Sequence, residues 1–451
     1  MTPETSSRSH WSSRWAFILV TAGSAIGLGN IWKFPYMTGT NGGSAFVLIY
    51  LACIAGIGVP LLMAETLLGR RGQANPVGAM RAVIAEAGAS RLWAIIGYIG
   101  ITGAVLILAF YSVVAGWILE YMLRSLNGFA GISRERAGAD FAALLADPLR
   151  LVLWHTAFMA MTAFVVARGV TSGIEQANKI MMPALFLIML GLLGYGIVAA
   201  DMPAAFRFMF HFDFSEVKRE VVLSAMGHSF FTLSLGMGAI MAYGSYLDRG
   251  TSIARTAFYV ALADTGIALM AGLAIFAIVF AQGLAPAGGP GLILQTLPLA
   301  FSQMPGGNII GPLFFLLVTF AAWTSSISLI EPFAAFLIER TGISRATAVW
   351  GISLLIWLLG IAVALSFNLW SEFKVFGLNI FDLLDTLTTK IMMPLAGLLI
   401  AVFVGWVMKS QHVAEEIGLR GAGLALWKNV LRYLSPLAIT LIFLHVVGVI
   451  G

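Results

Sequence analysis

Apolar residues run along this chain in long blocks rather than in alternation. Eleven blocks are long enough to cross a bilayer as helices, near 14–38, 43–69, 92–126, 151–167, 174–199, 224–246, 254–282, 308–339, 345–366, 376–407 and 429–449. Barrel strands would instead alternate apolar and polar positions every second residue. In lipid each backbone polar group must be satisfied within the chain, so continuous blocks predict helices. The predicted fold class is therefore an all-α integral membrane protein of eleven transmembrane helices, forming one domain over 1–451. The fourth block is short, and the third and tenth are long enough to tilt or project. The stretch 282–307 carries no charge and is rich in Gly and Pro, so it is expected to fold back on the protein.

Two blocks carry a pattern that an ordinary helix would not. The first holds Gly23, Gly27 and Gly29, and the sixth holds Gly236-Met237-Gly238 between Gly227 and Gly244. Glycine inside a helix costs about 1 kcal/mol relative to alanine. One such cluster is well explained by close helix packing. Two clusters, each flanked by Ser, Thr or Asn, favour unwound backbone, which at membrane depth occurs where it lines a cavity. The freed carbonyls can ligate a cation, and half-helix N-termini can meet an anion. Breaks in the first and sixth blocks predict two five-helix repeats of inverted topology, 14–199 and 224–407, with 429–449 as a further helix.

Polar residues within the blocks gather near these breaks. Asn30 closes the first, Thr232 and Ser234 precede the second, Asp264 lies in the seventh block, and Thr324-Ser325-Ser326 with Ser328 lies in the eighth. A carboxylate at mid-bilayer costs at least about 2.5–3.5 kcal/mol and marks a functional site by default. A bound cation with a taste for hard oxygen ligands, such as sodium, would offset that cost. The hydroxyls also have a plainer reading as donors to the carbonyl one turn earlier.

Composition narrows the class. The chain is 59% hydrophobic and 10% charged, with mean hydropathy +0.92, whereas soluble domains are about 25% charged. The single cysteine, Cys53, excludes an intramolecular disulfide. The net charge of +5 is spread over many loops, which argues against nucleic acid as a partner. With the N-terminus cytoplasmic and the C-terminus extracytoplasmic, fifteen Lys and Arg fall on inner segments and eight on outer ones, the expected bias. No cleavable signal peptide is expected. The six histidines are scattered and no nucleophile motif is present, so no enzyme is expected. Two breaks meeting at mid-membrane suit an occluded site better than a continuous pore.

The motifs Trp11-Ser-Ser-Arg14, Gly23-Ser-Ala-Ile-Gly-Leu-Gly-Asn30, Phe34-Pro35-Tyr36 and Asn41-Gly42-Gly43 resemble the start of the neurotransmitter:sodium symporter family. Phe230 to Gly236 resembles its sixth helix and Thr324-Ser325-Ser326 its eighth, with the likeness extending to the eleven-helix bacterial amino-acid symporters of the inner membrane. The resemblance implies sodium-driven uptake of amino acids by alternating access, with two Na+ sites. One would use the carbonyls of Gly23, Ile26 and Ala321 with the hydroxyls of Thr324 and Ser325. The other would use the Ala25 carbonyl, Asn30, Thr232, Asp264 and the substrate's carboxylate. That carboxylate would also meet N–H groups near Leu28 and Gly29 and the Tyr111 hydroxyl, and the ammonium would meet carbonyls near Ala25 and Phe231. Members that carry amines lacking a carboxylate have an aspartate at the place of Gly27. The side-chain pocket would draw on Ser24, Ile107, Phe230, Phe231, Ser234, Met237, Ser325 and Leu329. Being mostly apolar, it implies hydrophobic or aromatic side chains.

The resemblance also implies gates, and here the chain departs from the pattern. Lys33 and Asp385 take the places of the outer arginine–aspartate pair. Lysine lacks the planar fork of arginine. His228 stands where glutamine is common, and either bridges this gate or merely packs. Arg8 and Glu339 match the cytoplasmic gate pair, with Trp11 and Tyr246 beside them. Ala268 replaces a serine used by chloride-dependent members, so Asp264 is expected to supply the charge that chloride supplies elsewhere, and chloride is not expected to be required. Lys390 has no family counterpart. The expected partners are an amino-acid substrate and the bilayer, with the protein a monomer or weak dimer.

Overall fold

The computed structural model describes residues 10–129, 132–212, 214–286 and 291–446. Helices account for nearly all regular structure, and no strand occurs among the described residues beyond an isolated bridge between Val375 and Leu378. In chain order they are α1 (Arg14–Ala25), α2 (Gly29–Thr40), α3 (Ser44–Gly72), α4 (Pro76–Ala87), α5 (Arg91–Ser125), α6 (Arg134–Ala146), α7 (Pro148–Ala167), α8 (Val170–Ala199), α9 (Met202–Phe210), α10 (Arg219–Thr232), α11 (Ala239–Gly244) and α12 (Ile253–Ala281). There follow α13 (Leu297–Gln303), α14 (Gly307–Thr341), α15 (Arg345–Leu365), α16 (Ile380–Val407), α17 (Ser410–Ile417), α18 (Gly421–Asn429) and α19 (Ser435–Val446). Several of these contain π-type turns, as at Gly29–Lys33 and Thr386–Met392.

Eight of the described helices are long and apolar enough to span a membrane. The pair α1 and α2, bent by 49° at their junction, makes a ninth. The helices α5 and α14 form the axis of the bundle and pack on each other along much of their length. Each spans 35 residues, about 50 Å of helix against a hydrocarbon core of about 30 Å, so both must tilt or project. The short helices α4, α6, α9 and α17 fall between the apolar blocks. Polar starts announce three of them: Asn75, Ser133 and Asp201 each cap a helix through the side chain.

Close backbone approach fixes the surroundings of the second break. A side chain at Gly69 on α3 would strike the Met241 carbonyl of α11, and one at Gly244 would lie 2.8 Å from the Thr66 carbonyl. Glycine at these two points lets α11 lie directly on α3. The next residue along α3, Arg70, is buried and donates to Glu416 at 2.7 Å, to the Glu416 carbonyl and to the Thr251 carbonyl. It ties α3, α17 and the loop before α12 into one body. We expect Gly69→Val to force α3 and α11 apart and to cost roughly 1–3 kcal/mol. The thermal midpoint of detergent-solubilised protein should fall by several degrees. It should hold in Gly191→Val, where open space surrounds the added side chain. An unchanged midpoint in Gly69→Val would refute the close approach.

Candidate functional site

Helix formation stops in two places inside the bundle. Between Ala25 and Gly29, the Ile26 residue is extended (φ −73°, ψ 102°). Between Thr232 and Ala239, Ser234, Gly236 and Gly238 have φ of +54°, +76° and +73°. For serine this is a sparsely populated conformation costing about 1–3 kcal/mol. Its hydroxyl donates to the Ser24 carbonyl at 2.9 Å, which joins the two breaks directly. Glu65, fully buried on α3, accepts from the Gly236 N–H at 2.9 Å. The sequence reading passed over Glu65, although a carboxylate inside the second apolar block was a visible signal.

The first break faces α14 across a cluster of oxygens. Ser325 Oγ lies 3.4, 3.2 and 3.3 Å from the carbonyls of Gly23, Ser24 and Ile26. Thr324 Oγ1 lies 3.1 Å from the Ala321 carbonyl and 3.5 Å from that of Ile26. All these donors are neutral hard oxygens, the kind an alkali cation prefers. Around Asn30 a second cluster forms. Asn30 Nδ2 donates to Asp264 Oδ1 at 2.7 Å, to the Asp264 carbonyl at 3.0 Å and to Thr232 Oγ1 at 3.1 Å. Thr232 Oγ1 also donates to the Asp264 carboxylate, and Tyr50 reaches it at 3.5 Å. Asp264 is fully buried, and no Lys, Arg or His forms an ion pair with it among the described residues. A buried carboxylate without a counter-charge is the chemistry a bound cation would complete. No group of three His, Cys, Asp or Glu side chains that could hold a metal ion occurs among the described residues.

An apolar cavity of about 20 Å³ lies between the clusters, room for little more than one water. Ala25, Gly27, Leu28 and Gly29 edge it from the first break, and Ser234 and Met237 from the second. Ser24, Ile107, Tyr111, Phe231, Ser325 and Leu329 complete the wall. The Tyr111 hydroxyl accepts from the Leu28 N–H at 3.4 Å. Phe230 was expected on this wall and does not line it. Helical pitch turns Phe230 away from Phe231 and onto Gly397, and Thr232 points to Asp264.

Leu28, Tyr111 and Phe231 also floor a larger vestibule of about 400 Å³. Lys33 and Asp385 both line it but form no ion pair with each other among the described residues. The Lys33 ammonium sits instead 4.1 Å from the centre of the Phe231 ring. His228 is buried among Phe34, Phe46 and Tyr50, and neither ring nitrogen has a hydrogen-bond partner. It packs and does not bridge Lys33 to Asp385. Lys390 is exposed.

The opposite end is shut. Trp11 is buried, donates its indole N–H to the Tyr243 carbonyl at 3.1 Å, and meets Tyr243 and Tyr246 edge-on. The Tyr246 hydroxyl donates to Glu331 at 2.7 Å, and Glu331 also holds Arg345. Glu339 accepts from the Asn75 side chain at 2.7 Å. Arg8 lies outside the described residues.

Residues 8–130 and 147–450 match the family model described as the sodium:neurotransmitter symporter family. The chain belongs to that family. The chain is 38% identical to the uncharacterized sodium-dependent transporter YhdH of Bacillus subtilis over 98% of each chain. Against a second such transporter, from Haemophilus influenzae, it is 33% identical over 98% of this chain and 99% of the other. It also resembles the solved structure of MhsT in complex with L-phenylalanine, with a TM-score of 0.89 and 40% identity over 97% of this chain and 99% of that one. The family consists of transporters, and the symporter is not an enzyme. Its central cavity leaves no room at Gly27, where an added carbon would strike Ser325 Oγ and come within 3.1 Å of the Tyr111 hydroxyl. We expect Gly27→Ala to reduce sodium-dependent uptake at least about tenfold, with a thermal midpoint within a few degrees of the parent. Uptake at parental rates would show that the cavity is not on the transport path.

Proposed function

We propose that this chain is a sodium-coupled symporter that imports hydrophobic or aromatic L-amino acids by alternating access. The observation that carries the reading is an apolar cavity held between two clusters of hard oxygens at paired helix breaks. One Na+ would be held by the Gly23, Ile26 and Ala321 carbonyls with Thr324 and Ser325. The other would be held by the Ala25 carbonyl, Asn30, Thr232 and Asp264. The second lies beside the N–H groups of Leu28 and Gly29 and the Tyr111 hydroxyl, where an amino acid's carboxylate would bind. Ion and substrate would then share a ligand, and each would raise the other's affinity.

The surrounding architecture follows from the same reading. Eleven transmembrane helices form two inverted five-helix repeats, 14–199 and 224–407, and a last helix over 429–449, whose final residues lie outside the described ones. The Trp11 end faces the cytoplasm of a bacterium, so the vestibule opens outward and the C-terminus is extracytoplasmic. Arg8 and Glu339 close the inner path, and Lys33 with Asp385 guards the outer one. One chain contains the whole site, in keeping with a monomer or weak dimer. The aromatic class is supported by the apolar wall and by the phenylalanine held in MhsT. Asp264 supplies the fixed negative charge at the second ion site, so chloride is not needed.

Uptake of the twenty amino acids into proteoliposomes tests the reading. Apolar and aromatic amino acids should accumulate only under an inward sodium gradient. Replacing chloride by gluconate should leave the rate within about twofold, and Asp264→Ala should abolish accumulation. Uptake that persists in potassium under a proton gradient would favour a proton-coupled carrier, and exclusive uptake of a solute other than an amino acid would overturn the substrate class. Collapse in gluconate would sink the role given to Asp264.

A further inference from the structure

One loop at the vestibule end displays large apolar side chains to the outside. Residues 366–379, between α15 and α16, carry Leu369, Trp370, Phe373 and Phe376, all of them exposed, and Phe376 is 94% exposed. The only charges in the loop are Glu372 and Lys374, which cancel. Val375 and Leu378 exchange backbone hydrogen bonds of 2.9 and 3.0 Å, so Phe376 and Gly377 form a two-residue hairpin turn. Both turn residues have positive φ, +54° and +78°. Turns of this kind favour Asn-Gly or Asp-Gly, and a bulky side chain in this conformation is an outlier. The loop therefore holds a phenyl ring at its tip against the local preference of the backbone.

The height of the loop decides what these side chains meet. The helix α15 starts at the Trp11 end, where Arg345 in its first turn pairs with Glu331, the partner of Tyr246. Its 21 residues rise about 30 Å, as much as the hydrocarbon core of a bilayer is thick. Leu365 then lies at the far boundary of that core, and Leu369 to Phe376 lie at headgroup level. The exposed face of α15 is apolar, with Trp350, Leu354 and Leu358 at helical spacing, and Leu369 follows just past the helix end. Phe367 and Asn379, near the two ends of the loop, border the vestibule, but Leu369 to Phe376 border no part of it. The loop is pinned. Asn368 Nδ2 donates to the Leu145 carbonyl of α6 at 2.8 Å, and the Trp370 N–H donates to the Leu365 carbonyl at 2.9 Å.

We propose that this hairpin is an interfacial anchor, and that its partner is a lipid surface. Leu369, Trp370, Phe373 and Phe376 enter the headgroup–acyl boundary of the leaflet at the vestibule end. Aromatic rings collect at that depth because their apolar bodies leave water there while polar groups stay wet. Lys374 can lay its methylene stem along the same surface and keep its ammonium in water. With no net charge, the loop is held by apolar burial and not by attraction to anionic headgroups. A lid over the vestibule would need these side chains on the vestibule wall, where they are not found. The patch instead continues the lipid-facing stripe of α15. The helix α16, which carries Asp385, begins at Ile380 just after the hairpin, so the anchor sets the start of that helix relative to the bilayer. The inference rests on the membrane spans and is independent of the substrate reading.

Nitroxide labels on single cysteines test this in vesicles of zwitterionic phospholipid. Cys53 is the one native cysteine, so Cys53→Ala is the parent. Phe376→Cys carries the probe, with Leu358→Cys on the lipid face of α15 and Glu135→Cys on exposed α6 as the lipid and water references. The ratio of collision rates with oxygen and with a water-soluble nickel chelate reports depth. At position 376 it should exceed the Glu135→Cys value at least about threefold and approach that of Leu358→Cys. A label at Trp370→Cys should lose at least about half of its ratio when Phe373→Asn/Phe376→Asn is added, although asparagine suits the turn better. A ratio at 376 equal to that of Glu135→Cys would overturn the anchor. Shielding from both reagents would overturn it too, and would assign the patch to a second copy of the chain or another protein. An unchanged ratio at position 370 would overturn the role given to the two rings.

Discussion

A carboxylate without a counter-charge lies at the centre of an apolar bundle, and much of the interior is arranged around it. Asp264 is held by an amide, a hydroxyl and a phenol from Asn30, Thr232 and Tyr50. Those neutral donors come from the elements on which the site depends: α2 just beyond the first break, α10 just before the second, and α3. An isolated buried charge is far costlier than a hydrogen-bonded one, so these elements are held close to α12. The breaks follow from the same demand. A continuous helix would keep its carbonyls for itself, whereas the interrupted backbone at Ile26 leaves carbonyls facing Thr324 and Ser325. On the proposed reading sodium completes both clusters, and the empty protein is the state in which this polarity is least well compensated.

The second break is conformationally the more demanding of the two. Three residues with positive φ lie within five positions, one of them a serine. They persist because their surroundings fix them: Ser234 bonds across to Ser24, Glu65 takes the Gly236 N–H, and α11 lies on α3 through Gly69 and Gly244. Segments held in place by a few specific contacts can have two discrete arrangements, as a moving gate requires. The two ends of the bundle are unequal in this structure. Aromatic packing and buried hydrogen bonds close the Trp11 end, while the vestibule end stands open above Phe231. A ligand that binds one arrangement better shifts the balance by its difference in affinity and no more.

Much of this was legible in the sequence because membrane helices leave a coarse signal. Apolar blocks located the long helices to within a few residues in most cases. Gly23, Gly27, Gly29 and Gly236 to Gly238 marked both breaks, since glycine clusters in lipid conflict with helix propensity. The short helices between blocks were not read, because α4, α6 and α17 are amphipathic or polar and carry no such signature. Side-chain direction was read less well than backbone. Phe230 and Phe231 are neighbours of one type, and only the helical phase puts one on the cavity and the other on Gly397. His228 was ambiguous for a related reason. Its two nitrogens suggest a bridge, but its neighbours are rings from α2 and α3 that are remote in sequence.

Lys33 is a departure from the family pattern whose contacts can be followed in the structure. Arginine at this position could hold Asp385 through a planar two-pronged contact and still stack on an aromatic face. Lysine has a compact charge that cannot do both at once. Here it lies over Phe231, the ring that borders both vestibule and cavity, and forms no ion pair with Asp385 among the described residues. Its ammonium therefore sits on the aromatic floor of the vestibule. Gly29 backs the other side of the same ring, with 3.3 Å between an added carbon and the ring edge. Phe231 is thus held between the first break and a cation. On the proposed reading, a rearrangement of the break would meet Phe231 directly, since Gly29 packs on its ring. On the proposed reading the aromatic floor, which borders both cavity and vestibule, is more directly tied to the binding site than the Lys33 and Asp385 side chains, which border the vestibule alone.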